Sequence, residues 1–107
     1  RKWEWALMLL RVALEHALKP NVQCYGSAVS ACEKGKQWER SLLLLTEMEK
    51  SHVPLDVVSC NAAISACEKV RHWRVALVLL GRIRQLRLEP TRVTYTAVIS
   101  ACNKQNQ

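Results

Sequence analysis

The sequence contains no phenylalanine, and its 107 residues include only three glycines, three prolines and two tyrosines. Sandwiches and barrels need many tight turns, which glycine and proline usually supply, so this scarcity argues against an all-β fold. The hydrophobic half of the chain is mostly leucine, alanine, valine and cysteine, a composition that leans toward helix. We therefore predict an all-α protein.

The usual signatures of catalysis are also missing. Asp56 is the only aspartate, so we expect no carboxylate cluster of the kind that a metal-dependent nuclease needs. No H-x-E accompanied by C-x-x-C occurs, which excludes a zinc deaminase within this chain. His16, His52 and His72 are scattered and do not recur in phase. We predict no enzymatic activity, no metal site and no cofactor.

Charge of one sign predominates, with 16 Lys and Arg against nine Asp and Glu and a formal net charge of +7. This balance favours an anionic partner, and nucleic acid over a membrane surface. No apolar run approaches the roughly 20 residues of a membrane span. The five cysteines are odd in number and form no C-x-x-C pair, so we interpret them as small packing residues in a reducing compartment.

One phrase occurs three times at a fixed interval of 35 residues. It reads SACEKGKQW from Ser30, SACEKVRHW from Ser65 and SACNKQNQ from Ser100, and residues 22–56 share eleven identities with residues 57–91. A period of this length is typical of a solenoid, in which each unit buries its apolar face against its neighbours. We predict two full repeats, 22–56 and 57–91, between a part-repeat at 1–21 and another at 92–107.

Each period contains two amphipathic helical patterns. Apolar residues recur at three- and four-residue spacing in both, at Cys60, Ala63, Ile64 and Cys67 in the first and at Trp73, Ala76, Leu77, Leu80 and Ile83 in the second. Ser59 and Thr94 stand where an N-cap of the first helix is expected, Cys24 lacks the capping oxygen in the same slot, and Gly35 suits the helix end. The part-repeats therefore hold a second helix only (1–21) and a first helix only (92–107), and we expect further repeats of the same chain to cover both ends.

The opposite face of each first helix carries a polar residue near its start and a lysine near its end. Four-residue spacing aligns Gly26, Ser30 and Lys34, then Asn61, Ser65 and Lys69, then Thr96, Ser100 and Lys104. Stacked repeats would turn these residues into one polar row beside one cationic row, which suits the bases and phosphates of a nucleic-acid strand. The alternative is that the lysines are solvated and only stabilise the helix C-termini.

The period, the paired helices and the run DVVSCNAAISACEKVRHWRVALVLL resemble the pentatricopeptide repeat family along the whole chain. The resemblance implies a right-handed α-solenoid of antiparallel helix pairs that binds single-stranded RNA, roughly one base per repeat. It also implies a place in the chloroplast or mitochondrion, where such arrays act in RNA processing, stability, editing or translation. Other proteins of an RNA-processing complex are further expected partners.

The family's base-reading residues map onto Gly26 with Asp56, Asn61 with Thr91, and the single residues Thr96 and Asn21. Its base-stacking position maps onto Val58 and Val93, while Gln23 departs from the apolar pattern there. Lys34, Lys69 and Lys104 resemble its phosphate contacts. A carboxylate accepts hydrogen bonds only, so Asp56 favours a guanine or uracil edge. Asn61 and Thr91 can each donate or accept, and we expect a lean toward a pyrimidine there.

A tetratricopeptide-like scaffold for protein–protein interaction is the alternative interpretation. Its period is about 34 residues and its signature is W-x-x-L-G-x-x-Y, which does not occur here. Partner preference separates the two: RNA binding that weakens with salt, against binding of a peptide.

Overall fold

The computed structural model describes residues 1–16 and 22–105, with side chains as far as residue 103. Within this part of the chain the regular structure is entirely helical, as predicted. The six helices are α1 (Lys2–Glu15), α2 (Val22–Lys34), α3 (Trp38–Lys50), α4 (Val57–Lys69), α5 (Trp73–Gln85) and α6 (Arg92–Gln105).

The helices form two layers of a short solenoid. The first helices, α2, α4 and α6, lie side by side, and the second helices, α3 and α5, each pack against two neighbouring first helices. α1 lies closest to α2, and its Trp3 ring also contacts Arg40 of α3. The described part measures 47 × 32 × 18 Å. Each predicted full repeat holds one helix pair, which is the arrangement that the 35-residue period indicated.

The turns after α2, α3, α4 and α5 share one geometry. Each contains a non-glycine residue with φ near +60°, at Lys36, His52, Arg71 and Arg87, so the left-handed positions recur at the repeat interval. At each of these helix ends a backbone N–H donates a hydrogen bond to the carbonyl oxygen five residues earlier. The donor and acceptor residues are Gln37 and Cys32, His72 and Cys67 (both 2.8 Å), Val53 and Met48 (2.9 Å), and Leu88 and Ile83 (3.0 Å). These are Schellman closures, which satisfy carbonyl groups that the helix leaves unpaired.

Gly35 follows α2 as expected, but it is Lys36, not Gly35, that adopts the left-handed conformation. The small size of Gly35 matters for a different reason. A Cβ atom at this position would overlap the Cδ1 atom of Trp3, which lies directly against it. Glycine at this position therefore lets the α1 tryptophan pack onto the end of α2.

The predicted N-caps are wrong by three residues. Asp56 is the N-cap of α4, and its Oδ1 atom accepts a 3.1 Å hydrogen bond from the backbone N–H of Ser59. At α6 the Thr91 hydroxyl accepts from the backbone N–H of Thr94 (3.4 Å), and the Thr94 hydroxyl accepts from that of Thr91 (3.0 Å). Ser59 and Thr94 thus occupy the third helical position. The reasoning about Cys24 fails with them, since Cys24 lies inside α2.

The core follows the periodic apolar face of the first helices. Tyr25, Val29, Cys60 and Ile64 are all at least 99% buried and pack with second-helix residues such as Met48. Trp3, Trp38 and Trp73 are partly buried against this core, and the rings of Trp38 and His72 lie 4.4 Å apart between repeats. The tryptophans therefore belong to the inter-repeat packing.

Three cysteines belong to the same core. Cys32, Cys60 and Cys67 are buried free thiols, while Cys102 is only half-buried. Burial raises the pKa of the Cys67 thiol to about 11 from its ordinary 9.0. Burial, aided by the carboxylates of Asp56 and Glu49, does the same for the pKa of Cys60. These thiols stay protonated at neutral pH, which fits their interpretation as packing residues.

Equivalent positions differ sharply at the two ends of the array. Tyr25 is 1% exposed but Tyr95, 70 residues later, is 45% exposed, and Leu44 is 4% exposed but Leu9, 35 residues earlier, is 60% exposed. Only the interior positions have a neighbouring helix on both sides. Among the described helices, none combines the length and the apolar character that crossing a membrane requires.

Candidate nucleic-acid interface

The face of the first helices that points away from the core carries the predicted polar and cationic rows. We call it the first-helix surface; its described side chains are Gly26, Ser30 and Lys34 of α2, Asn61, Ser65 and Lys69 of α4, and Thr96 and Ser100 of α6. All of these are exposed or half-buried, because the core face lies on the other side of each helix. Asn21 and the side chain of Lys104 lie outside the described part of the chain.

One predicted reading pair is in direct contact. The Asn61 Nδ2 atom donates a 3.3 Å hydrogen bond to the hydroxyl oxygen of Thr91. A third residue completes the group, since the Thr94 hydroxyl donates to Asn61 Oδ1 at 2.5 Å and its oxygen lies 3.2 Å from that of Thr91. Both ends of the Asn61 amide are thereby held, although Asn61 itself is only half-buried.

The other complete pair has a different arrangement. Gly26 offers no side chain, and the carboxylate of Asp56 is engaged by the backbone N–H of Ser59. The hydroxyl of Ser59 lies 3.3 Å from the point that a Cβ atom on Gly26 would occupy. This hydroxyl is buried, and within the described chain it has no hydrogen-bond partner. The sequence analysis assigned Ser59 and Thr94 to helix capping and missed that their hydroxyl groups lie beside the predicted reading residues. Their recurrence at an interval of 35 residues was the signal for this shared position.

The predicted stacking residues are exposed at the start of the first helices. Val58 is 68% exposed on α4 and Val93 is 59% exposed on α6, and Gln23 is exposed on α2. A large apolar side chain that stays in water at the same position of two repeats is available to a ligand. Their use as stacking residues stays a prediction.

The three predicted phosphate-binding lysines are not alike. Lys69 forms an ion pair with Glu33 of the preceding first helix, and its side chain is 35% exposed. Lys34 is exposed and, in the described chain, takes part in no ion pair. It lines an open groove together with Arg1, Lys2, Trp3 and Ser30. Three basic residues, Arg1, Lys2 and Lys34, are therefore grouped where α1 meets α2.

The second-helix side of the array also has charged contacts between repeats. Arg82 on α5 forms an ion pair with Glu49 on α3, and the guanidinium group of Arg40 on α3 lies 4.6 Å from the centre of the Trp3 ring on α1. The charge of Arg82 is thus partly neutralised. In the described residues no three His, Cys, Asp or Glu side chains come together as metal ligands would.

Comparison with known protein families gives two matches. A family model described as pentatricopeptide repeat domain matches residues 43–105, which is more than half of the chain. A second family model, described as PPR repeat, matches residues 23–53. No curated protein matches the chain. Together the two family matches cover four helices, α3 to α6, and nearly all of α2.

Proposed function

Because the chain belongs to the pentatricopeptide repeat family, we propose that it binds single-stranded RNA along the first-helix surface, roughly one base per repeat. The main support is the contact between Asn61 and Thr91, two predicted base-reading residues that meet at 3.3 Å beside the lysine row. Hydrogen-bonding side chains grouped in this way at an accessible position suit the edge of an unpaired base.

The remaining features of this surface fit the other parts of a nucleotide. The exposed valines Val58 and Val93 would lie against base faces, and Lys34 would attract phosphates without regard to sequence. Asp56 keeps one carboxylate oxygen beyond its N-cap bond to Ser59, and this oxygen would accept an N–H of guanine or uracil. At the second pair the preference would be for a pyrimidine.

Stacking contributes about 1–3 kcal/mol per base, so two or three bases give modest specificity. The exposed apolar positions Leu9 and Tyr95 support an array that continues with further repeats at both ends. We place such an array in the chloroplast or mitochondrion, in RNA processing, stability, editing or translation, as a binding protein without catalytic activity. Other proteins of an RNA-processing complex would be its partners.

Fluorescence anisotropy with labelled single-stranded U12, C12 and A12 RNA tests the proposal. We expect binding to single strands over a 12-base-pair RNA duplex, and affinity that falls linearly on a log–log plot as salt rises from about 50 to 200 mM. No binding to any single strand at the lowest salt would contradict the proposal. Capture of a peptide ligand instead would favour the tetratricopeptide-like scaffold.

Two lysines provide a matched pair of variants. Lys34 and Lys50 are both exposed and both lie in the last turn of a helix, but Lys34 belongs to a first helix and Lys50 to a second. Lys34→Gln should weaken RNA binding and reduce the salt slope by about one, whereas Lys50→Gln should change neither. Equal effects of the two variants would place the RNA elsewhere.

A further inference from the structure

Two equivalent hydroxyl groups of the array differ in their hydrogen bonding. Thr94 and Ser59 both occupy the third position of a first helix, 35 residues apart, and both are at least 99% buried. The Thr94 hydroxyl donates to the amide oxygen of Asn61, while the Ser59 hydroxyl faces Gly26 and, among the described residues, has no partner. The two predicted reading pairs therefore differ in one respect: the buried hydroxyl beside Asn61 is hydrogen-bonded, and the equivalent hydroxyl beside Gly26 is not, within the described part of the chain.

The bonding of Thr94 determines which end of the Asn61 amide it holds. The Thr94 oxygen already accepts a hydrogen bond from the backbone N–H of Thr91 at 3.0 Å. Its own proton is then best placed on Asn61 Oδ1, 2.5 Å away, because the Thr91 oxygen is more distant at 3.2 Å. Since a buried hydroxyl left without an acceptor is costly, this bond favours the amide oxygen, not the nitrogen, on the Thr94 side.

Fixing the amide fixes what it offers to a ligand. With Oδ1 held by Thr94 and Nδ2 held by Thr91, the Asn61 amide keeps one N–H and one oxygen lone pair, each at a defined place. A rotation of the amide by half a turn would exchange the donor and the acceptor and would match a different base edge. An asparagine without Thr94 could present either arrangement.

We propose that Thr94 is a positioning residue for base recognition, which sets the direction of the Asn61 amide toward the RNA. This inference rests on the proposed function, but its structural half can be tested without RNA. At the other pair Gly26 leaves Ser59 with nothing to orient, so the same device is incomplete there. Substituting Gly26→Asn should complete it.

The RNA-free test uses the side-chain amide signals of Asn61 in a ¹⁵N–¹H NMR spectrum, assigned with Asn61→Asp. We expect exchange of the Asn61 side-chain protons with solvent to be about fivefold faster in Thr94→Val, the factor that one modest hydrogen bond corresponds to. Thr94→Ser keeps the hydroxyl and should restore the original rate. Ser59→Ala removes the equivalent hydroxyl from the other pair and should leave the Asn61 signals unchanged.

The RNA test compares affinities for U12, C12 and A12 RNA. Thr94→Val should reduce the ratio of the highest to the lowest of these affinities about fivefold, while the mean affinity should change much less. Thr94→Ser should restore the ratio. A general loss of structure would instead weaken all three equally, and circular dichroism and thermal unfolding of each variant identify that case. Gly26→Asn tests the same device by gain: it should alter the ratio, and the further substitution Ser59→Ala should reduce that change.

The outcomes separate this inference from the function on which it rests. If the wild-type chain binds none of the RNAs, both proposals are overturned, and the NMR rates then report only on a structural bond. If the wild type distinguishes the three RNAs but Thr94→Val keeps the same ratio, RNA binding stands and the positioning role of Thr94 is wrong. If the Asn61 exchange rate is also unchanged, the amide is not held by Thr94 at all.

Discussion

Lys69 on α4 forms an ion pair with Glu33 on α2, so a predicted phosphate-binding residue of one repeat is held by an acidic residue of the repeat before it. Lys34 has no such partner within the described chain. The lysines of this row therefore differ in how readily they can bind a phosphate. An RNA phosphate near Lys69 would have to share its ammonium group with a carboxylate or displace that carboxylate.

Glu33→Gln should raise RNA affinity about two- to fivefold at low salt, because it removes a competing carboxylate and releases Lys69 for a phosphate. Anisotropy with labelled U12 at about 50 mM salt, where screening is weak, measures this. Glu49→Gln is the matched control: it makes the same charge change and breaks the ion pair with Arg82, but on the second-helix side. Equal gains from both variants would mean that only net charge matters.

Asp56 combines a structural and a proposed recognition role, and two substitutions separate them. Asp56→Asn keeps a side-chain oxygen for the Ser59 N–H, so the free energy of unfolding should change by less than about 0.5 kcal/mol. Its amide can also donate, so RNA binding should shift from guanine and uracil toward adenine and cytosine. Asp56→Ala should cost about 1 kcal/mol of stability through loss of the cap. Chemical denaturation and binding to labelled oligonucleotides measure the two effects, and an unchanged base preference in Asp56→Asn would remove Asp56 from the reading pair.

Two glycines should respond in opposite ways to alanine. Gly35→Ala places a methyl group against the indole of Trp3 and should destabilise the protein by about 1–3 kcal/mol. Gly81 lies within α5, where a methyl group would meet open space with no neighbouring group within 4 Å. Gly81→Ala should therefore stabilise the protein by about 0.5–1 kcal/mol through helix propensity. Denaturant unfolding measures both. A stabilising Gly35→Ala would show that Trp3 does not pack on the end of α2.

The buried thiols predict a loss of stability in alkali. The pKa of Cys60 and of Cys67 is raised to about 11 by burial, so each thiol keeps its proton in the folded protein at a pH where the unfolded chain has lost it. Their contribution is fully present below about pH 9 and is lost as the pH rises through about 9 toward about 11. The free energy of unfolding, measured in steps from about pH 8 to about pH 11, should fall by an amount on the order of 4 kcal/mol, about 2 kcal/mol for each thiol.

Cys60→Ala with Cys67→Ala should flatten this dependence, and Cys24→Ala, at an exposed position, should leave it intact. The difference between the variants isolates the contribution of the two thiols. An identical alkaline slope in the double variant would contradict the burial of these thiols.

The helices and the buried face could be predicted because they depend on local spacing. Residues at three- and four-residue intervals, such as Cys60 and Ile64, share a helical face whatever surrounds them. The 35-residue period further predicted that each repeat packs on the next. The reading pair Asn61 and Thr91 was predicted from the family resemblance, and the structure places the two side chains at hydrogen-bond distance.

The features that could not be predicted depend on distances between helices. The ion pair of Lys69 with Glu33 joins residues 36 apart, and the contact of Gly35 with Trp3 depends on the angle at which α1 meets α2. The N-cap was misplaced because serine, threonine and aspartate all cap helices, and two of them stand three residues apart at Asp56 and Ser59. Tyr25 is buried and Tyr95 is exposed because, of the two, only Tyr25 has a described neighbouring helix on both sides.

Of the six described helices, α1 has one close helix neighbour, α2, whereas α4 lies close to α2, α3, α5 and α6. In such an array the stability of each repeat depends on its contacts with the repeats on either side, so a helix with neighbours on both sides is better protected from solvent. Amide hydrogen exchange would therefore be fastest in α1 and slowest in α4. The centre of the molecule is the place where a nucleotide would meet the most rigid support.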